Sequence, residues 1–126
     1  MASSFTIKPT SNSPYIEFDP EIGSLTIVGQ SHPEDPQEFY KELVDIVEEY
    51  CQNPKPHTKV IVDLEYMNTG TSRVIYNVFR KLETIVGDNC EVEVHWRYED
   101  DDEDMLDAGQ IFSELTKLKF KMIGVN

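Results

Sequence analysis

The sequence predicts a single α/β domain on a mixed, mostly parallel sheet, with helices chiefly on one face and the order β-β-α-β-α-β-α-β. Three observations predict it. Strand-like and helix-like segments alternate through most of the chain, which calls for right-handed crossovers between parallel strands. The first thirty residues hold strands separated by turns, which adds an antiparallel part. Around Val92 apolar and polar side chains alternate, so one sheet face is less covered than the other. The domain is read as residues 1–126, with 1–14 as a flexible lead or an edge strand.

Tyr15–Asp19 and Leu25–Gly29 read as an antiparallel hairpin around the turn Asp19-Pro20-Glu21-Ile22-Gly23, with Phe5–Ile7 as an added edge segment. The first helix is signalled by Asp35 as cap, Pro36 at the first helical position and Glu38 three residues after the cap. Its apolar stripe is Phe39, Leu43, Ile46, Val47 and Tyr50, and Asn53-Pro54-Lys55-Pro56 stops it. Val60–Leu64 is a strand, followed by a loop carrying Tyr66-Met67-Asn68-Thr69-Gly70. A second helix follows, with Val74, Ile75, Val78, Phe79, Leu82, Ile85 and Val86 inward, ended by Gly87-Asp88-Asn89. Val92, Val94 and Trp96 form one face of the next strand. After Glu99–Asp104 a third helix points Met105, Ala108, Phe112 and Leu115 inward, and a last strand surrounds Phe120, Met122 and Ile123.

At 126 residues, folding buries roughly two-thirds of the unfolded surface, enough for a core without metal or disulfide staples. Asp and Glu number 24 against 11 Lys and Arg, a formal net charge of -13. That balance repels phosphate backbones and anionic lipid, so nucleic acid and membrane surfaces are not expected partners; a basic protein surface is. No apolar stretch approaches the ~20 residues of a membrane helix. Met1 to Ser4 begins no secretory signal, and Cys51 and Cys90 are read as reduced thiols, which together place the protein in the cytoplasm.

Cofactor and metal sites are not expected. His32, His57 and His95 lie far apart, and Asp100, Asp102 and Asp104 imitate the start of a calcium loop only until Met105 occupies the position that needs glycine. No nucleophile elbow, phosphate-binding loop or dinucleotide fingerprint is present, so catalysis is the weaker reading. Trp96 and Tyr98 lack the flanking cations of a base-stacking platform; they are read as packing in the core or on a partner.

Asn68-Thr69-Gly70-Thr71-Ser72 joins a strand to a helix N-terminus, where amide groups and the helix dipole favour an anion. One reading is plain capping and turn chemistry. A sharper one is a phosphoacceptor, since a phosphate there adds about -1.5 to -2 charges at a tolerant position. A third uses the same loop as a cradle for the phosphate of a small anionic substrate or ligand, which the neighbouring acids oppose. The acidic run Glu99-Asp100-Asp101-Asp102-Glu103-Asp104 is either a solvated loop before a helix or a docking surface for a basic partner. Parallel strands would bring both loops to one sheet edge, so new charge beside the acidic run would alter a docking surface without refolding the domain.

Leu64 to Ser72, the run Trp96-Arg97-Tyr98-Glu99 through Asp104 into Met105-Leu106-Asp107-Ala108-Gly109, and Gly29 to Pro36 together resemble the SiaC family of regulatory phosphoproteins, from about Tyr15 to Phe120. The resemblance implies a STAS-like fold and a partner-switching role in bacterial signalling, without enzymatic activity. It implies phosphorylation by a dedicated Ser/Thr protein kinase, reset by a PP2C-like phosphatase, and a target that for the SiaC type is a diguanylate cyclase. The acceptor carried over by position is Thr69. The family pattern has serine where Gly70 and Thr71 stand, which leaves Thr71 and Ser72 as alternate acceptors. The expected partner surface comprises Asn68, Gly70, Trp96, Tyr98, Glu99, Asp100, Asp101 and Asp102.

Overall fold

The computed structural model describes residues 3–126; Met1 and Ala2, at the start of the expected domain and of the segment expected to begin no secretory signal, lie outside the described residues. Nine elements follow in the order β1 (Phe5–Ile7), β2 (Tyr15–Asp19), β3 (Ser24–Ser31), α1 (Pro36–Tyr50), β4 (His57–Met67), α2 (Thr69–Glu83), β5 (Glu91–Glu99), α3 (Glu103–Leu115) and β6 (Lys119–Val125). The edge segment is therefore a true strand. Phe5 pairs with Phe18 across the ladder and is itself buried.

The six strands lie in sequence order across one sheet. β1, β2 and β3 pair antiparallel; β3 through β6 pair parallel. Each helical crossover steps one strand in the same direction, so right-handed connections put all three helices on one face. The core lies between. Ile27, Val62, Val94 and Trp96 from the sheet meet Leu43, Val47, Ile75, Val78, Phe79 and Phe112 from the helices.

The opposite sheet face carries charge in matched rows. Asp63 and Arg97 are register partners and their side chains meet at 3.1 Å. On β5, Glu93 accepts from His95 at 2.5 Å, which holds the Glu93 carboxyl below its ordinary range. Cross-strand pairing of opposite charges is what lets a sheet face water.

Four sequence expectations shift. β4 is longer than Val60–Leu64 because Glu65 is an extra residue opposite a register shift at Gly29/Gln30, where Gly29 takes φ 125°. The bulge changes which side of β4 faces inward, so Tyr66 and Met67 continue the strand opposite Gln30 and Ser31 and the expected loop shrinks to Asn68. In α1 the buried face is Tyr40, Leu43, Val47 and Tyr50, while Phe39 and Ile46 are half-buried. α2 ends at Glu83, so Ile85 and Val86 lie beyond it and Val86 is exposed. In α3 the inward line is Met105, Gly109 and Phe112; Ala108 is half-buried and Leu115 is exposed.

Gly109 explains the register of α3. A Cβ there would lie 2.4 Å from Trp96 Cδ1, so the helix backbone rests on the indole ring itself. Gly109→Ala must push helix and indole apart; the expected loss is about 1–3 kcal/mol, read from the urea midpoint. An unchanged midpoint would show that this contact does not position α3.

Candidate functional site

The carboxyl ends of β3, β4 and β5 meet at one edge of the sheet, and the start of α2 is fixed there by hydrogen bonds. Asn68 is held through its side-chain oxygen, its side-chain nitrogen and its backbone N–H. Its side-chain oxygen accepts from Thr71 N at 2.8 Å, its Nδ2 donates to Pro33 O at 3.1 Å, and its backbone N donates to Ser31 O at 2.9 Å. It caps α2 and ties it to the end of β3.

Three hydroxyls continue the anchor inward. Ser31 Oγ lies 2.6 Å from Tyr40 OH and 2.8 Å from Thr71 Oγ1, and Thr71 Oγ1 donates to Ser31 O at 3.3 Å. One proton direction satisfies every atom: Tyr40 donates to Ser31, Ser31 to Thr71, and Thr71 to the Ser31 carbonyl. Burial pushes the Tyr40 phenol up to about 12, against the smaller lowering effect of its hydroxyl partners, so it stays a donor. The chain joins α1, β3 and α2 at one point.

This anchor separates the expected phosphoacceptors. Thr69, first residue of α2, is exposed; Ser72 is half-buried. Thr71 has 0% of its surface exposed and its hydroxyl is spent on Ser31, so the alternate assignment to Thr71 is corrected. A kinase would have to unfold the first turn to reach it. Gly70 is a packing position: a Cβ would sit 2.6 Å from Pro36 Cγ, so the starts of α1 and α2 touch there.

The acidic run forms the turn between β5 and α3. Asp100 N donates to Val125 O and Asp102 N to Glu99 O, both at 2.8 Å, while Asp102 Oδ1 caps α3 by accepting from Met105 N at 3.0 Å. Glu99, Asp100 and Asp101 are exposed, Asp102 half-buried, and Glu103 and Asp104 belong to the first helical turn, where acids suit the dipole. Trp96 is corrected as a partner contact. It is 0% exposed, and its Nε1 donates to Met105 O at 2.8 Å, so it holds the acidic turn from below. Tyr98 is half-buried against the core beside Gly124.

The acidic turn and the start of α2 follow the carboxyl ends of two neighbouring parallel strands, β5 and β4. A groove of about 350 Å³ runs between Glu65, Tyr66 and Met67 at the end of β4 and Asp102, Asp104, Met105 and Ala108 at the start of α3. Met67 is two residues from Thr69. Tyr66 is 54% exposed and rests edge-on against His32. Ile111 and Leu115, 52% and 53% exposed, add apolar surface on α3. Tyr66 and Met67 escaped the sequence reading because the bulge is invisible to a period-of-two count. Tyr40 and Ser31 escaped because a hydroxyl chain between distant elements leaves no local spacing; the alternative helix stripe Tyr40, Leu43, Val47, Tyr50 was the available signal.

Among the described residues no group of three His, Cys, Asp or Glu is placed to hold a metal, and no helix is long and apolar enough to cross a membrane. A cleft of about 460 Å³ lies around Glu21, Glu49, Tyr50 and Lys55, near the start of β4 and away from Thr69.

Residues 7–125 match the family described as SiaC family regulatory phosphoprotein. An uncharacterised protein of Pseudomonas aeruginosa strain UCBPP-PA14 is 25% identical over 112 residues, 89% of each chain. The fold is that of apo-SiaC from Pseudomonas aeruginosa, with TM-score 0.86 and 24% identity over 97% of this chain and 99% of that one. It is equally that of SiaC bound, as activator, to the diguanylate cyclase SiaD of that organism, with TM-score 0.87 and 24% identity over 96% and 99%.

Two measurements check the anchor. Thr71→Ala removes a buried hydroxyl from the chain and is expected to cost about 1–3 kcal/mol, whereas Thr69→Ala stays within about 0.5 kcal/mol, both by urea unfolding. Equal effects would contradict the assignment of the two threonines. Because the Tyr40 pKa is raised from 10.0 to about 12, folding keeps its full contribution below pH 10 and loses about 2 kcal/mol as pH rises to 12. Tyr40→Phe, compared over the same range, is expected to remove that part of the alkaline slope.

Proposed function

Since the chain belongs to the SiaC family of regulatory phosphoproteins, we propose that it is a non-enzymatic signalling switch whose acceptor is Thr69. The observation that carries this reading is the contrast at the start of α2: Thr69 is open to solvent while Thr71, two residues on, is sealed and hydrogen-bonded. A dedicated kinase moves the terminal phosphoryl group of ATP to Thr69 Oγ1, the hydroxyl proton leaves, and ADP is released. A PP2C-like phosphatase returns the hydroxyl by hydrolysis.

The surface under control is the edge formed by the acidic turn and the groove beside it. Glu99, Asp100, Asp101 and Asp102 offer negative charge, and Tyr66, Met67 and Tyr98 offer apolar contact. Asn68, Gly70 and Trp96 position that edge from behind. A partner that fits it is basic around an apolar centre. A diguanylate cyclase is the proposed class of target, supported by the complex of the Pseudomonas aeruginosa SiaC with its cyclase. Phosphate on Thr69 adds about -1.5 to -2 charges at one end of this edge and occupies space there. Binding changes by electrostatics and obstruction, with the fold intact.

Mass spectrometry after incubation with the cognate kinase and ATP tests the acceptor. One added phosphate is expected on Thr69, none on Thr71 or Ser72, and Thr69→Ala is expected to abolish it. Undiminished modification of Thr69→Ala would overturn the site.

A further inference from the structure

The side of α2 that faces α1 differs in charge from the rest of this acidic chain. A cleft of about 360 Å³ there brings together Lys41 and Arg73, with Gln37 and Asn77 as amides and Asp45 as its one carboxylate. Other cations of the helices are already used: Arg80 pairs with Glu83 at 2.8 Å and Lys81 with Glu48 at 3.3 Å. Among the described residues neither Arg73 nor Lys41 has a carboxylate within ion-pairing distance.

Arg73 stands four residues after Thr69 in α2, a spacing that puts both side chains on one helix face with Cβ atoms about 5–6 Å apart. Gly70, flush against Pro36, closes the starts of α1 and α2 on each other, so that Gln37 and Lys41 line the far wall of the same cleft. A guanidinium at this range matches two phosphoryl oxygens at once.

We infer that Arg73 is a clasp in cis for a phosphate on Thr69, with Lys41 across the cleft as a second, longer-range cation. This rests on Thr69 being the acceptor and adds what holds the product. The clasp draws the phosphate toward α1 and offsets its repulsion from the acidic turn. Substitution of Thr69 by glutamate reproduces it weakly, because a carboxylate brings one charge and fewer oxygens.

Phosphothreonine installed at position 69 during translation makes the test independent of any kinase. The second ionisation of the phosphate is followed by phosphorus NMR in the otherwise unaltered chain and in Arg73→Ala, Arg73→Lys and Arg80→Ala. The charged groups on the elements around it include Glu38, Lys41, Glu42 and Asp45 of α1, Arg73 and Arg80 of α2, and Glu65, Asp102 and Asp104 at the groove. The parent phosphoprotein is expected to titrate lower than Arg73→Ala by about half a unit or more, with Arg73→Lys between them and Arg80→Ala matching the parent. Coincident titrations of the parent and Arg73→Ala would overturn the clasp and leave the acceptor untouched. Failure of the kinase to modify Thr69 would overturn the acceptor while the measured clasp chemistry stood.

Discussion

A buried chain of three hydroxyls, Tyr40 to Ser31 to Thr71, is the constraint on which the rest of this structure depends. Polar groups are expensive to bury unless each finds a partner, so three that satisfy one another permit a single arrangement of α1, β3 and α2. That arrangement puts Thr71 inside. Once Thr71 is inside, helical geometry turns Thr69 outward, two residues earlier and on a different face. Asn68 completes the fixture by capping α2 and bonding to Pro33 and Ser31. The exposed hydroxyl is thus presented by a rigid mount on a helix N-terminus, beside amides and a dipole that tolerate new negative charge.

A second fixture aligns the neighbouring loop. The Trp96 indole donates to the Met105 carbonyl from beneath, and Gly109 lets α3 lie directly on the ring. With Asp102 capping the helix, the acids of residues 99–104 are held in one turn although they repel one another. Their mutual repulsion is relieved by water and by the positive end of α3. A basic partner would relieve it further, which gives the turn its bias toward such a partner.

Much of this was legible in the chain. Alternating periodicities carried the α/β class and the succession of strands and helices along the chain, because a hydrophobic stripe at helical spacing and an apolar alternation at strand spacing are local signals. The cap Asp35, the capping-and-turn chemistry of Asn68–Ser72 and the acid-before-helix pattern at Asp102 were local too. The position of Thr69 could be read, but its separation from Thr71 could not, since that depends on Ser31 and Tyr40, forty and thirty-one residues away in the chain from Thr71. Trp96 misled for a related reason. An aromatic beside charged residues looks available for contact, and only the α3 backbone resting on it shows that it is sealed. The extension of β4 through Tyr66 and Met67 depended on one extra residue at a bulge, which shifts side-chain parity without any mark in composition.

The central claim is that one phosphate at the start of α2 changes recognition at the acidic edge while leaving the fold alone. The most direct measurement is calorimetry of the unmodified and Thr69-phosphorylated proteins against one purified diguanylate cyclase, the proposed class of target, with circular dichroism of both forms alongside. Superimposable spectra with affinities that differ by about tenfold or more, equivalent to about 1.4 kcal/mol, are the predicted result. Equal affinities in two equally folded forms would contradict it.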